Sequence, residues 1–208
     1  MPDTHAEPAT RRPRSAARKD LIIEAALDQF RHYGVRGASL EQIAKAAGVS
    51  RPALYHHFAS KEELFRETAR SVQDDVLAKV RHAASQAGSV HERLDRMMAI
   101  KCRDMHEAMW RSRHGDELFD QSNRLCADLV SQYRNSFASE IGGVIASGVE
   151  AKELDLKHLK LTPDTAGDLL FYSSEGLHER FTGNPVAPEI YLSRLKSLIQ
   201  CFIASAAA

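Results

Sequence analysis

The 208-residue chain is short of several things, and each shortage excludes something. It has three cysteines, Cys102, Cys126 and Cys201, odd in number and far apart. They form neither a disulfide framework nor a C-x-x-C metal pair, and a reducing compartment, the cytoplasm, suits them best. No uninterrupted apolar run approaches the ~18 residues that a membrane helix needs, so no membrane partner is expected. The first twenty residues are polar and basic, with no apolar h-region, so no secretory leader is visible. No segment alternates apolar and polar residues between turn signals, as an exposed sheet would. The chain lacks G-x-S-x-G, a Walker loop and H-E-x-x-H, which points away from an enzyme. Net charge is absent too, with 28 Lys and Arg against 28 Asp and Glu. That balance argues against a surface coated with positive charge for a polyanion. The 43% of apolar residues argues against an acidic disordered chain.

The zero conceals a gradient. Residues 1–61 hold ten basic and six acidic side chains, a net +4, and residues 62–208 hold 18 and 22, a net −4. Residues 1–14, with Pro2, Pro8, Pro13 and an Arg cluster, read as a disordered basic tail. The remainder of the chain reads as helices. Ile23, Leu27 and Phe30 recur at i, i+4 and i+7, and Gly34 is placed to end that helix. Ser39-Leu-Glu-Gln42, Ser60-Lys-Glu-Glu63 and Ser89-Val-His-Glu92 each spell a capping box, in which the Ser oxygen accepts from the third amide of the new helix. Thr162-Pro163-Asp164 offers a cap, a Pro in the first turn and an acid at the positive helix end. The spacing predicts helices over 15–33, 39–46, 50–57, 60–86, 90–112, 116–119, 122–148, 163–182 and 188–205. The expected architecture is all-α, with an N-terminal three-helix unit over 15–61 and a second helical unit over 62–208.

Leu40 to Phe58 is the informative stretch. A short helix with Ile43 and Ala44 inward is followed by Ala47-Gly48-Val49 and a second short helix from Ser50, the pattern of a helix-turn-helix. Small Ala44 lets the two helices cross closely, and Gly48 sits where the turn favours left-handed backbone. The N-terminal end of the second helix is the part that enters a major groove in this motif. Arg51 there can pair with a guanine edge or a phosphate. Pro52 and Ala53 offer apolar contact, and Tyr55, His57 and Lys61 suit phosphate oxygens. Such hairpins also serve as plain packing units in all-α proteins.

Ala47-Gly-Val-Ser-Arg-Pro-Ala-Leu-Tyr-His-His-Phe-Ala-Ser-Lys-Glu-Glu-Leu-Phe65 closely resembles the signature of TetR-family (tetracycline-repressor-like) transcriptional regulators. So does Ile23-Glu-Ala-Ala-Leu-Asp-Gln-Phe-Arg-His-Tyr-Gly-Val-Arg-Gly-Ala-Ser39. The specific match covers residues 18–70. The resemblance implies a homodimer with two recognition helices in successive major grooves of double-stranded DNA. It places Ser39, Arg51, Pro52, Ala53, Tyr55, His56, His57 and Lys61 at the DNA. Pro52 stands where many members carry Gly or a polar residue, a departure that bears on base readout. Arg36 and the Arg11–Arg14 tail are further candidates for backbone contact.

Beyond that segment the reading is physical. Leu94, Met98, Met105 and Met109 share a helical face, with Trp110 adjoining. Flexible Met side chains can line a pocket for irregular apolar ligands; ordinary core packing gives the same stripe. Leu125, Leu129, Tyr133 and Phe137 form a second candidate wall, and Phe171 and Tyr172 a third. The resemblance likewise implies a small-molecule inducer among these central helices. Leu169, Leu170, Leu177 and Phe181, then Tyr191, Leu195, Leu198 and Phe202, form wide apolar stripes on the last two helices. A dimer interface would bury them, as would an intramolecular hairpin. Glu175-x-x-His178 is half of a di-iron motif whose other half is missing, so neither metal nor cofactor is expected. The expected function is a ligand-responsive repressor on a palindromic operator. An activator or nucleoid-associated protein on the same fold, and an all-α binding protein or enzyme with a merely structural helix-turn-helix, are the alternatives.

Overall fold

The computed structural model describes residues 14–105, 112–181 and 187–207, with side chains except at 14, 104–105, 178–181 and 187–188. Among them the chain forms α1 (Arg14–Gly37), α2 (Leu40–Ala46), α3 (Arg51–His57), α4 (Lys61–Ser85) and α5 (Val90–Met105). Next in order are α6 (Gly115–Leu125), α7 (Ala127–Glu150), α8 (Pro163–Phe181) and α9 (Ala187–Ala206). The only β pairing among the described residues is a bridge from Leu154 to Ala207, which straps the α7–α8 loop to the end of α9.

Capping chemistry sets the starts. The Ser39 hydroxyl accepts from the Gln42 N–H at 3.2 Å, and the Gln42 side chain accepts from the Ser39 N–H at 3.2 Å. Ser89 and Glu92 form the same reciprocal pair. At α4 the Ser60 oxygen accepts from the Glu63 N–H, but the Glu63 carboxylate reaches past it to the Ala59 N–H at 2.7 Å. Gly34 breaks the helix as its position implies: it takes φ 71°, ψ 169°, and the chain then makes one further helical turn to Gly37. The break turns the chain toward α2 and aims the Arg36 N–H at the Glu117 carboxylate of α6, 2.8 Å away.

Two apolar clusters hold the chain. The first joins Ile22, Ala26 and Phe30 of α1 to Ile43 and Ala44 of α2, Leu54 of α3 and Phe58, all at most 2% exposed. It does not stop at residue 61. Leu64 and Phe65 of α4 belong to it, with the Phe65 ring set edge-on to Phe30 at 5.4 Å. So do Cys126 and Leu129, where α6 meets α7. The second cluster is formed by the rest of α4 with α5, α7, α8 and α9, around Leu94, Met97, Met98, Phe137, Ile141 and Phe171. α7 and α8 touch backbone to backbone: a Cβ on Gly167 would lie 2.5 Å from the Ala138 carbonyl oxygen and 2.7 Å from the Gly142 nitrogen. Because α4 contributes to both clusters, it is a shared rod of 25 residues. None of the described helices is long and apolar enough to cross a membrane.

The stripes of the last two helices are mostly consumed inside the chain. Tyr191 and Leu195 are fully buried, Leu170 nearly so, and Leu177, Leu198 and Phe202 pack against the same core. α9 lies on α5 and α8, so the expectation of an intermolecular face is corrected for Leu170, Tyr191 and Leu195, which are buried within the chain, while Leu177, Leu198 and Phe202 stay partly exposed. Leu169 alone of the expected set with a described side chain is broadly exposed, at 53%. The Phe181 side chain lies outside the described residues.

Candidate nucleic-acid interface and a polar centre in the helical body

The α2–α3 hairpin is built from short-range bonds. Gly48 at φ +66° completes the turn, and the Val49 N–H donates to the Ala44 carbonyl at 3.0 Å. Ser50 caps α3 by accepting from the Ala53 N–H, and Pro52 occupies the first turn, where no N–H donor is needed. Leu54 and Phe58 pin one side of α3 into the core. The opposite side presents Arg51, Pro52, Tyr55 and His56 to solvent, with Ala53 and His57 half-exposed at its edges and Ser39 exposed beside it.

These groups are mutually organised. The Arg51 guanidinium lies over the Tyr55 ring at 5.6 Å, and contact with the Tyr55 side chain holds its pKa above the ordinary value. The His56 and His57 rings stand edge to face at 5.5 Å. Lys61 is placed differently. It is half-buried, and its ammonium donates to the carbonyls of Arg36 at 3.2 Å and Ala38 at 3.1 Å. Two of its three donors thus tie α4 to the α1–α2 link, which leaves one to face outward.

The expected ligand lining divides. Met98, Tyr133, Phe137 and Phe171 meet in the second core, with the Tyr133 and Phe137 rings 5.9 Å apart and the Phe137 and Phe171 rings 5.4 Å apart. Leu125 and Leu129 do not join them. Leu125 ends α6 and Leu129 lies in the first turn of α7, two turns before Phe137, and both pack on the first core there. Tyr172 points away and is half exposed. Met109 and the Met105 side chain lie outside the described residues. Two cavities flank α1 and α4. One is a polar groove of about 640 Å³ with Asp20, Glu24, Asp75 and Lys79 in its walls. The other is an apolar cleft of about 190 Å³ among Leu27, Phe30, Phe65, Leu118 and Phe119. A third, of about 450 Å³, lies among Arg36, Lys61, Gln121 and Arg124.

A polar centre that the sequence reading missed lies among α5, α7, α8 and α9. Lys101 is 1% exposed and its Nζ donates to Glu175 Oε1 at 2.5 Å. The ammonium sits 5.0 Å above the Phe171 ring and 3.5 Å from the Tyr191 hydroxyl, which donates to the Ser174 carbonyl. Arg134 holds the other Glu175 oxygen at 3.3 Å. Burial pushes the Lys101 pKa down, and the facing Glu175 carboxylate opposes that. Burial, with the Glu175 charge, pushes the Tyr191 hydroxyl up. The signal was present in the sequence: Lys101 falls at i+7 from Leu94 and i+3 from Met98, on the buried face of α5.

Comparison with known proteins bears on the first of these two sites. Residues 22–68 match the family model for bacterial regulatory proteins, tetR family. The transcriptional regulator RutR of Escherichia coli is 44% identical over 66 residues, which are 32% of this chain and 31% of RutR. The transcriptional repressor KstR2 of Mycolicibacterium smegmatis is 32% identical over 93 residues, 45% of this chain and 42% of that protein. These matches span a third to two-fifths of the relatives' own length. A solved transcriptional regulator from Cytophaga hutchinsonii superposes with a TM-score of 0.78 at 17% identity, covering 91% of this chain and 98% of the other, a likeness of fold. Over residues 22–68, then, this chain is similar to the tetR family of bacterial regulatory proteins.

Proposed function

We propose that the protein is a transcriptional repressor that binds a palindromic operator as a homodimer and is released by a small-molecule inducer. One observation carries the DNA-binding part. α3 is anchored by Leu54 and Phe58, yet turns Arg51, Pro52, Tyr55 and His56 outward on the helix whose N-terminus is capped by Ser50. A buried anchor with an exposed polar and aromatic face is what insertion into a major groove requires. The names of RutR and KstR2, a regulator and a repressor, support the regulatory reading.

Dimerisation sets the two α3 helices ~34–36 Å apart, one turn of DNA. On α8, Leu169 and Tyr172 at i and i+3 are each half exposed and support a face for the second copy. The inducer acts by population shift. Met98, Tyr133, Phe137 and Phe171 are packed tight in this conformation, so a ligand entering there has to part α7 from α8. α4, which packs in both clusters, carries the displacement to α1–α3. The test is a gel shift of purified protein against its own upstream region at physiological salt. A retarded complex on a palindromic segment, competed by that segment and not by unrelated DNA, is expected. Failure to bind any such segment overturns the reading.

A further inference from the structure

The Lys101 centre has the form of an occupied carboxylate site. Lys101 and Arg134 approach one carboxylate from two helices, one on each oxygen, and that carboxylate is the chain's own Glu175. The geometry is asymmetric in a telling way. Lys101 is locked in at 1% exposure, on the Phe171 face and beside Tyr191, whereas Glu175 is 24% exposed and reaches in from the surface side. Glu175 can therefore rotate out to water, where its charge is solvated at no cost. Lys101 cannot follow, and an unpaired buried ammonium is expensive. Among Lys101, Arg134 and Glu175 the charge is also short by one negative: two cations share a single carboxylate. The apolar contacts around the site are aromatic, with Phe137, Phe171 and Tyr133 in ring-to-ring contact.

We propose that the effector is a small monocarboxylic acid with an apolar body. Its carboxylate takes the Lys101 and Arg134 contacts that Glu175 holds in the free protein, and its body lies against Phe171 and Phe137. This deepens the inducer part of the function proposed above and rests on it for its regulatory meaning. Glu175 is then an internal competitor. Its displacement from α5 and α7 is the local event that loosens α8, on which both Glu175 and the exposed Leu169 and Tyr172 lie.

Thermal unfolding and calorimetric titration of the full chain test this with benzoate and octanoate against their neutral isosteres, benzamide and octanamide. At least one acid is expected to raise the melting temperature progressively with concentration, and its amide to do so at least tenfold more weakly. Glu175→Gln removes the competing charge and is expected to tighten binding of that acid by at least tenfold. Lys101→Met is expected to abolish it; should that variant fail to fold, the Glu175→Gln titration decides alone. Equal effects of acid and amide, no effect of either acid, or a Glu175→Gln variant that binds no tighter, each overturns the proposal. Operator binding by the unaltered protein is read separately by gel shift. Its absence overturns the regulatory reading and leaves the carboxylate result to be judged on the titrations.

Discussion

The Arg66 guanidinium of α4 grips the Asp128 carboxylate of α7 with both terminal nitrogens, at 2.9 and 2.7 Å, and also reaches the Leu125 carbonyl. This fork closes the seam between the shared rod and the break at Cys126, on the flank where Leu125 and Leu129 enter the first core. The Arg66 side chain holds the Asp128 pKa down from the ordinary 3.8 to about 2. A carboxylate whose folded pKa is depressed contributes stability above its unfolded pKa, and that contribution is lost as pH falls through the folded one. Asp128→Asn is therefore expected to melt below the unaltered protein at pH 6 and to converge with it between about pH 4 and pH 2. Both groups are partly in water, so the difference at pH 6 should be small and shrink further in high salt. Melting curves across pH 2–6 at two salt concentrations check this; a gap that persists at pH 2 contradicts it.

The turn of the α2–α3 hairpin depends on Gly48. Nothing lies within 4 Å of a Cβ placed there, so the cost of a substitution is conformational rather than steric. At φ +66° an alanine should cost about 1–2 kcal/mol, and an asparagine less, because it tolerates left-handed backbone. Leu54→Ala, by contrast, opens a hole under α3 and should cost about 2–5 kcal/mol. Urea denaturation of the three variants should rank them Asn, Ala at 48, then Ala at 54.

Readout and grip separate at the exposed face of α3. Tyr55→Ala should weaken binding to every operator variant alike, and reduce the slope of log affinity against log salt if its hydroxyl helps order a phosphate contact. Arg51→Ala should weaken binding and also relax preference at one operator position, since a bidentate pair with a guanine is worth about 1–3 kcal/mol of discrimination. Binding assays on single-base operator variants distinguish the two. An Arg51→Ala effect uniform across all variants assigns Arg51 to phosphate instead.

The α7–α8 contact is the tightest in the body. Gly167→Ala forces a methyl against the Ala138 carbonyl and the Gly142 amide, both backbone and unable to swing aside. The helices must separate, at a cost of about 1–3 kcal/mol. If the body transmits its state through α8, this variant should bind operator more weakly even without any ligand. A stability loss with operator affinity unchanged separates α8 from the regulatory path.

The local parts of this fold were legible because their causes are local. A Ser followed three residues on by Gln or Glu marks a helix start wherever it occurs, and Ser39 and Ser89 form the boxes their spacing implies. Gly48 is left-handed because the turn admits little else, and Leu54 is buried because it is the one large apolar side chain within the seven residues of α3 that faces the first core. The charge gradient was equally plain, with the positive part around α1–α3.

Periodicity, however, names a buried face without naming what buries it. Tyr191 and Leu195 belong to a true stripe, but only the docking of α9 on α5 and α8 decides that the stripe faces inward. Leu129 shares α7 and its register with Phe137, yet two turns apart on that helix the one meets the first core and the other the second. Lys101 falls on the buried face of α5 by register alone, but only the crossing of α7 and α8 brings Arg134 and Glu175 to it. Contacts between residues 74 positions apart, as Lys101 and Glu175 are, come from how helices cross, and an amphipathic pattern is compatible with many crossings. The sequence sufficed for the helices, their caps and the α2–α3 hairpin, where the interacting groups lie within a few residues. Which apolar faces meet, and which charges are buried between them, was decided by packing, because those energies depend on neighbours the chain supplies from far away.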